Sequence, residues 1–166
     1  MADPNRSLIA VLVLSACGLV GIAVDEGYTQ RAVPDVVKGV AVPTLGFGAT
    51  TGVRMGDTTT VPQALARLST DVRAYEGALK RCVTVPLHQH EYDVYVALAY
   101  NIGTSAFCGS TLVRLLNAGE YAQACNAILM WRKVGAMDCA APGNKSCSGL
   151  WARRQRQRLQ CLGAAP

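Results

Sequence analysis

Two carboxylates, Glu26 and Asp35, stand nine positions apart near the start of the chain. Two carboxyl groups on opposite sides of a glycosidic bond are the usual apparatus for cleaving it, with one of them giving a proton to the leaving oxygen. Glu26 lies two residues beyond the end of an apolar run, which favours the protonated acid at this position. Asp35 precedes a predicted turn at Lys38 and Gly39, a more open setting in which it would stay ionised and steer water or stabilise positive charge on a sugar.

This spacing alone does not identify an enzyme, because a Glu and an Asp nine positions apart occur often. In the alternative interpretation, Glu26 is a charge in an N-cap region and Asp35 is a turn residue. The surrounding sequence has to decide between these two interpretations.

The elements that would position the carboxylates indicate an α+β fold. Residues 25–57 are rich in Val, Gly, Pro and Thr and predict short strands with tight turns. A long helix is predicted to begin at the N-cap Thr60 and to run to about Cys82. Its apolar residues recur at helical spacing: Leu65, Leu68, Val72, Tyr75 and Leu79. The pattern predicts a small β lobe and a mainly helical lobe joined by this helix, and a cleft between two lobes suits an extended substrate.

Further helices are predicted along the second half of the chain. One begins after Pro86 and ends at Gly103, and a short one is capped by Ser110 or Thr111 and stopped by Gly119. Two more are predicted in 120–131 and 150–162.

The cysteines indicate an oxidising compartment. Seven are present, none forms a CxxC motif, and the chain has two His, so a zinc site is poorly supported and we expect neither metal nor cofactor. Six of them lie after residue 80, and an even set in a small chain predicts three disulfides. Cys139–Cys147 would close the loop after Trp131. Among the remaining three connectivities we choose two pairs: Cys108–Cys125 and Cys82–Cys161.

The net charge of +5 and the pI of about 8.9 favour polyanionic surroundings such as anionic lipid or bacterial cell wall. The basic cluster in "WARRQRQRLQ" is typical of a solvated helix face, and no nucleic-acid motif accompanies it. We therefore expect no nucleic-acid partner.

An uncharged apolar run of 18 residues, Ser7 to Val24, precedes the carboxylates and predicts an N-terminal apolar helix. Three interpretations compete: a cleaved signal peptide, a permanent anchor, and a marginal helix that enters the membrane and later leaves it to pack on its own domain. The Gly, Ala and Ser content of the run lowers its commitment to lipid and favours the third.

The stretch "DEGYTQRAVPD…VPTLGFGATTG" resembles the start of the phage lysozymes of glycoside hydrolase family 24. The family signature is Glu, eight residues, Asp or Cys, a few residues and Thr, which maps to Glu26, Asp35 and Thr44. Further similarities are "YNIG" at 100–103, "STLVRLLNAGEY" at 110–121, and "GLWARR" at 149–154. They fall in the family's order.

The chain departs from the family pattern at several positions. Eight residues separate Asp35 from Thr44, more than in compact members. Val33 replaces a Tyr, Ala49 replaces a His, and Gln157 replaces a Glu. These changes affect fine substrate geometry but leave the three catalytic positions intact.

The resemblance implies a muramidase that hydrolyses the β-1,4 bond between N-acetylmuramic acid and N-acetylglucosamine in peptidoglycan. Glu26 would be the general acid, and Asp35 and Thr44 would position the attacking water with inversion of configuration. Tyr100 and Asn101 resemble cleft-facing substrate-binding residues; the alternative is that Tyr100 packs and Asn101 caps the helix end. Arg153 and Arg154, by contrast, are expected to pair with acids.

Some of these lysozymes carry a signal-arrest-release segment, which residues 1–24 resemble. Residues 25–166 would then be the lysozyme-like catalytic domain. This resemblance implies an inactive enzyme on the inner membrane of a Gram-negative host, then an active, monomeric enzyme in the periplasm. The rivals are a lytic transglycosylase and a non-enzymatic, membrane-anchored wall-binding module.

Overall fold

The computed structural model describes residues 5–35 and 39–164. Seven α-helices and four short strands occur in this part of the chain. In chain order they are α1 Ala16–Glu26, β1 Thr29–Asp35, β2 Gly39–Gly46, α2 Val61–Cys82, α3 Gln89–Ile102, α4 Thr104–Cys108, α5 Thr111–Asn117, α6 Tyr121–Ala127, β3 Lys133–Val134, β4 Met137–Asp138 and α7 Ser148–Cys161.

The predicted β lobe is an antiparallel hairpin of β1 and β2. Thr29 pairs with Gly46 and Val33 with Thr44, and the register shifts between Pro34 and Asp35. The turn predicted at Lys38 and Gly39 depends on Lys38, which lies outside the described residues. The hairpin therefore sets Asp35 and Thr44 on adjoining strands.

Helix α2 begins as its sequence predicts. Thr60 accepts a hydrogen bond from the Gln63 backbone, and the Gln63 side chain accepts one from the Thr60 backbone at 3.0 Å, which completes a capping box. Leu68 and Leu79 of the predicted stripe are fully buried. The helix thus follows the hairpin and packs its apolar side into the helical lobe.

The helical lobe is centred on α3, whose residues Tyr92, Tyr95, Val96 and Leu98 are fully buried. Gly103 ends α3 with φ of +89°, a conformation that suits glycine, as the sequence predicts. Ser110, of the two predicted caps, accepts a hydrogen bond from Val113 and begins α5. The α+β class predicted from the sequence, with a small β lobe and a mainly helical lobe, is confirmed.

The apolar run does not form one helix, which corrects the prediction of a long N-terminal apolar helix. Ile9–Val11 is a single 3₁₀ turn, and α1 begins only at Ala16. Ser15 caps α1 by accepting a hydrogen bond from Gly18, and an N-cap residue requires non-helical backbone. In the described residues, no helix is both long and apolar enough to cross a bilayer.

Three disulfides form, and the prediction that the six cysteines after residue 80 are paired is confirmed; the seventh, Cys17, is free and exposed. Cys139–Cys147 pairs as predicted. The two other predicted pairs, Cys108–Cys125 and Cys82–Cys161, are wrong: the bonds are Cys82–Cys108 and Cys125–Cys161, each with Cα atoms 5.6 Å apart. The physical reason is packing, because the ends of α2 and α4 meet, as do α6 and the end of α7, within disulfide range.

Candidate active site

Glu26 is the last residue of α1, and the chain turns sharply after it. Ile22 and Ala23 are buried and fix the helix on the helical lobe. Gly27 follows with φ of +70°, so the chain can leave the helix directly into β1. A carboxyl group at this point is anchored by a packed helix and lies between the two lobes.

A glycine loop, defined here as residues 45–51, lies beside Glu26. Leu45 and Ala49 exchange two backbone hydrogen bonds of 2.9 and 3.0 Å, which close the loop tightly. Gly48 has φ of +82°, and a Cβ atom placed on it would lie 3.2 Å from Oε2 of Glu26. The missing side chain therefore lets the backbone approach the carboxylate.

A cleft of about 460 Å³ opens beside this contact. It is lined by the glycine loop and by residues of α2, α3 and α4, among them Gly48, Asp71, Tyr75, Tyr100 and Thr104. Hydroxyl, carboxylate and aromatic groups together provide hydrogen-bond partners and flat apolar surface. The cleft has the mixed character expected of a site for a polar chain such as a glycan.

Tyr100, predicted to bind substrate, lines the cleft, and its hydroxyl donates a 2.9 Å hydrogen bond to the carbonyl oxygen of Phe47. Burial raises the pKa of the Tyr100 phenol, and the nearby Glu26 charge adds to the rise. The phenol therefore remains a donor at ordinary pH.

Asn101, the second predicted ligand, lies at the exposed end of α3. Its Oδ1 accepts a hydrogen bond from Nη2 of Arg154. The amide oxygen is thus engaged within the protein.

Arg153 pairs with acids, as predicted, and one of these acids is Glu26 itself. Its Nη1 lies 3.0 Å from Oε1 of Glu26, and its Nε lies 3.6 Å from Oδ2 of Asp25. Arg156 holds the other oxygen of Asp25 at 2.7 Å. Two arginines of α7 thus fix the end of α1, and one of them provides positive charge beside the candidate acid.

Arg154 pairs with no acid among the described residues, which corrects the prediction for this residue. It is almost fully buried, and it donates to the Trp131 carbonyl oxygen at 2.9 Å and to Oε1 of Gln157 at 2.8 Å. Burial and the neighbouring Arg153 lower the pKa of Arg154 to about 10, so it stays charged at neutral pH. Gln157, where relatives are expected to have Glu, serves here as a neutral acceptor.

The backbone places Asp35 at the end of β1, two residues beyond the partner of Thr44. The side chain of Asp35 lies outside the described part of the structure. Thr44 is on β2, and its hydroxyl oxygen is buried without a hydrogen-bond partner among the described residues. A buried hydroxyl normally has a partner, so this one is suited to hold a water or a substrate group.

No group of three His, Cys, Asp or Glu that could hold a metal occurs within the described ranges 5–35 and 39–164. The arrangement suits acid–base chemistry by side chains. Two features of the site were not predicted from the sequence: the close approach of Gly48 to Glu26, and the pairing of Glu26 with Arg153. The close pair of glycines in "GFG" is the signal that could have indicated the first.

Replacing Gly48 by Ala is expected to lower the rate of hydrolysis by up to about 100-fold, since misplacing a reacting group by about 1 Å has this effect. The new methyl group would contact Oε2 and Cγ of Glu26 at 3.2 and 3.4 Å. Gly52→Ala is the matched control, because Gly52 also has positive φ (+70°) but its Cβ would meet nothing within 4 Å. Rates for both variants, each checked for its melting temperature, separate contact with Glu26 from backbone strain. Equal losses would contradict the role of the contact.

The chain is similar to known proteins over most of its length. Residues 23–157 match the family model described as phage lysozyme. The chain is 34% identical over 157 residues to the endolysin of Salmonella phage P22, covering 92% of this chain and 99% of the relative. It is 32% identical over 148 residues to the SAR-endolysin of Pseudomonas phage phiKMV, covering 89% and 87% of the two chains.

The fold also matches a solved structure. The muramidase domain of SpmX from Asticaccaulis excentricus superposes with a TM-score of 0.79 at 28% identity, covering 93% of this chain and 99% of that one. The match to the family model spans both lobes, and its range contains Glu26, Asp35, Thr44 and the glycine loop.

Proposed function

Since the chain belongs to the phage lysozyme family, we propose that it is an endolysin that hydrolyses the β-1,4 bond between N-acetylmuramic acid and N-acetylglucosamine in peptidoglycan. The observation that supports this most is the place of Glu26. It ends a packed helix, contacts the glycine loop and Arg153, and adjoins a polar cleft. This is where a general acid has to be to reach a bound glycan.

In the proposed reaction, Glu26 gives its proton to the glycosidic oxygen, and the leaving sugar departs as an alcohol. Arg153 then faces a carboxylate, and its charge at 3.0 Å compensates the negative charge that has formed. Asp35 and Thr44 hold the water that attacks the sugar carbon from the opposite face, with inversion, and the Asp35 carboxylate takes the proton that this water loses. The hydroxyl of Thr44, which has no partner among the described residues, supports this role, because it can hold a water without adding charge.

The products distinguish this proposal from its rivals. Purified peptidoglycan digested by the protein is expected to yield fragments with reducing muramic acid ends, seen by mass spectrometry. Anhydro ends would instead identify a lytic transglycosylase, which needs one acid and no water. Binding without cleavage would identify a wall-binding module, and either outcome would contradict the proposal.

We also propose that residues 1–24 hold the protein on the inner membrane of a Gram-negative host before release, and that residues 25–166 are the catalytic domain. The uncharged run of 18 residues and the similarity to a relative named a SAR-endolysin support this. While the run lies in lipid, α1 cannot occupy its place on the helical lobe and Glu26 is kept from the cleft. After release the enzyme acts as a monomer in the periplasm.

The contacts of the N-terminal segment support a docked, released state. Carboxylates of the helical lobe accept hydrogen bonds from its backbone: Glu76 from Leu14 at 2.7 Å, and Asp93 from Ser15 at 3.0 Å. Asp93 also accepts from the Ser15 hydroxyl at 2.6 Å. These bonds provide partners for backbone groups in the non-helical residues of the apolar run just before α1.

The first residues of the segment are held in the same way. Arg6 pairs with the buried Glu91 and lies over the ring of Tyr121, with its guanidinium carbon 3.4 Å from the ring centroid. Ser7 and Leu87 exchange backbone hydrogen bonds of 2.8 and 2.9 Å. Docking therefore offers the segment polar partners that lipid lacks, which offsets part of the apolar transfer energy lost on release.

A further inference from the structure

The position of the glycine loop, residues 45–51, determines the wall that faces Glu26. Gly48 lies close to both Glu26 and Tyr100, since a Cβ added to it would lie 3.2 Å from Oε2 of Glu26 and 3.5 Å from Cε1 of Tyr100. A shift of the loop by a fraction of an ångström would change the contact with the carboxylate. The groups that hold the loop are thus coupled to the acid.

Tyr100 holds the loop from the helical lobe. It lies at the end of α3, whose preceding residues Leu98 and Ala99 are buried. Its hydroxyl donates to the carbonyl oxygen of Phe47, the residue before Gly48, at 2.9 Å. Its ring is fixed against Tyr75 of α2, with centroids 4.9 Å apart and planes at 52°. The end of α3 is thus joined to the glycine loop by one hydrogen bond.

We infer that Tyr100 is a positioning residue, which sets Glu26 for proton transfer by holding the glycine loop through its hydroxyl rather than by binding the sugar with it. This inference rests on the proposed role of Glu26 as the acid. It replaces the sequence-based hypothesis of a substrate ligand with a mechanical role for the same side chain.

The hydrogen-bond inventory supports the inference. A phenol has one hydrogen to donate, and that of Tyr100 is committed to Phe47. The raised pKa of Tyr100 means that this donor is not lost by ionisation at working pH. What remains for a glycan is the face of the ring and a lone pair, and removing the oxygen leaves the ring in place.

A second tie acts on the other end of the loop. Arg67 of α2 donates to the carbonyl oxygen of Thr51 and pairs with Asp71, with a 3.5 Å contact between Nε and Oδ2. The loop is therefore held from two helices, at Phe47 and at Thr51. Loss of the Tyr100 hydroxyl should release one end of the loop without detaching the other.

The test is Tyr100→Phe with Tyr121→Phe as the matched control. The Tyr121 hydroxyl also donates to a backbone carbonyl, that of Pro86, at 3.0 Å, but within the helical lobe. Tyr100→Phe is expected to lower kcat on soluble peptidoglycan fragments roughly tenfold with KM unchanged, because it misplaces the acid without removing a sugar contact. Tyr121→Phe is expected to keep both constants.

A second measurement does not need activity. Amide hydrogen exchange at Ala49, whose N–H donates to Leu45 within the loop, is expected to accelerate about tenfold in Tyr100→Phe and to stay unchanged in Tyr121→Phe. Unchanged exchange at Ala49 would overturn the inference whatever the enzyme does. A raised KM with normal kcat would also overturn it and make Tyr100 a substrate ligand. Faster exchange with no hydrolysis even by the wild type would refute the proposed function alone.

Discussion

Replacing Glu26 by Gln is expected to abolish peptidoglycan hydrolysis, with a loss of at least about 100-fold in rate. The amide has the same shape as the acid but no proton of suitable acidity for the leaving oxygen. Its oxygen can still accept the hydrogen bond from Nη1 of Arg153, which spans 3.0 Å in the parent protein. The fold and the affinity for cell wall should therefore change little. Turbidity clearing measures the loss of hydrolysis, and sedimentation with cell walls measures the affinity.

Glu120→Gln is the matched control for this experiment. Glu120 precedes α6, is exposed, and accepts a 2.9 Å hydrogen bond from Gln123 in the same segment. Loss of its charge should leave lysis at the parent rate. Turbidity clearing by Glu26→Gln at close to the parent rate would refute Glu26 as the acid.

Replacing Gly21 by Leu is expected to keep the protein in the membrane and to delay lysis after depolarisation or prevent it. Gly21 lies on the exposed side of α1, and a Cβ there would meet nothing within 4 Å, so the docked state tolerates the leucine but leaves it in water. In lipid the same side chain is buried, which favours insertion by about 2 kcal/mol. That is a factor of about 30 in the equilibrium. Fractionation of full-length protein before and after depolarisation measures the shift.

Two companion variants identify the cause. Gly21→Ser also replaces the glycine in the helix but adds no apolar area, so it should be released like the parent. Gly18→Leu should be retained for an additional reason, since a Cβ there would lie 2.7 Å from Cδ1 of Leu14 and 2.9 Å from Cγ of Asp93, which opposes docking. Release of Gly21→Leu on the parent schedule would contradict a balance set by lipid affinity.

Much of the architecture follows from local sequence signals. The N-cap Thr60, the glycine after α3 and the cap Ser110 each act through neighbours in the chain; the sequence predicts the first two, and Ser110 is one of its two candidates for the third. The proposed catalytic positions Glu26, Asp35 and Thr44 come from the resemblance to the phage lysozyme motif and stay a prediction. The features that the sequence does not predict depend on which helices pack against each other.

The N-terminal run shows this limit most clearly. Its composition predicts one apolar helix, yet Ser15 ends the irregular part and begins α1 because Asp93, 78 positions away, accepts both its backbone and its hydroxyl hydrogens. The disulfide partners of Cys82 and Cys161 likewise depend on the packing of α4 and α6. Arg153 pairs with Glu26, which lies 127 positions away in the chain, and no local pattern encodes this contact.

These long-range contacts join the two proposals: the segment proposed to hold the protein in the membrane is also the element that places Glu26, the proposed acid. Helix α1 is formed from the end of the apolar run, and Glu26 is its last residue. Docking of the segment and completion of the active site are then one event. Membrane insertion would inhibit the enzyme by keeping its acid from the cleft.

The most direct measurement is the rate of cleavage of soluble peptidoglycan fragments by full-length protein on energised spheroplasts, before and after a protonophore collapses the potential. Fragments reach the tethered domain freely, so access to the wall does not limit the rate. Cleavage is expected at the background rate while the protein is tethered. After release it is expected at the rate of the purified soluble protein. Tethered protein that cleaves fragments as fast as released protein would contradict this expectation.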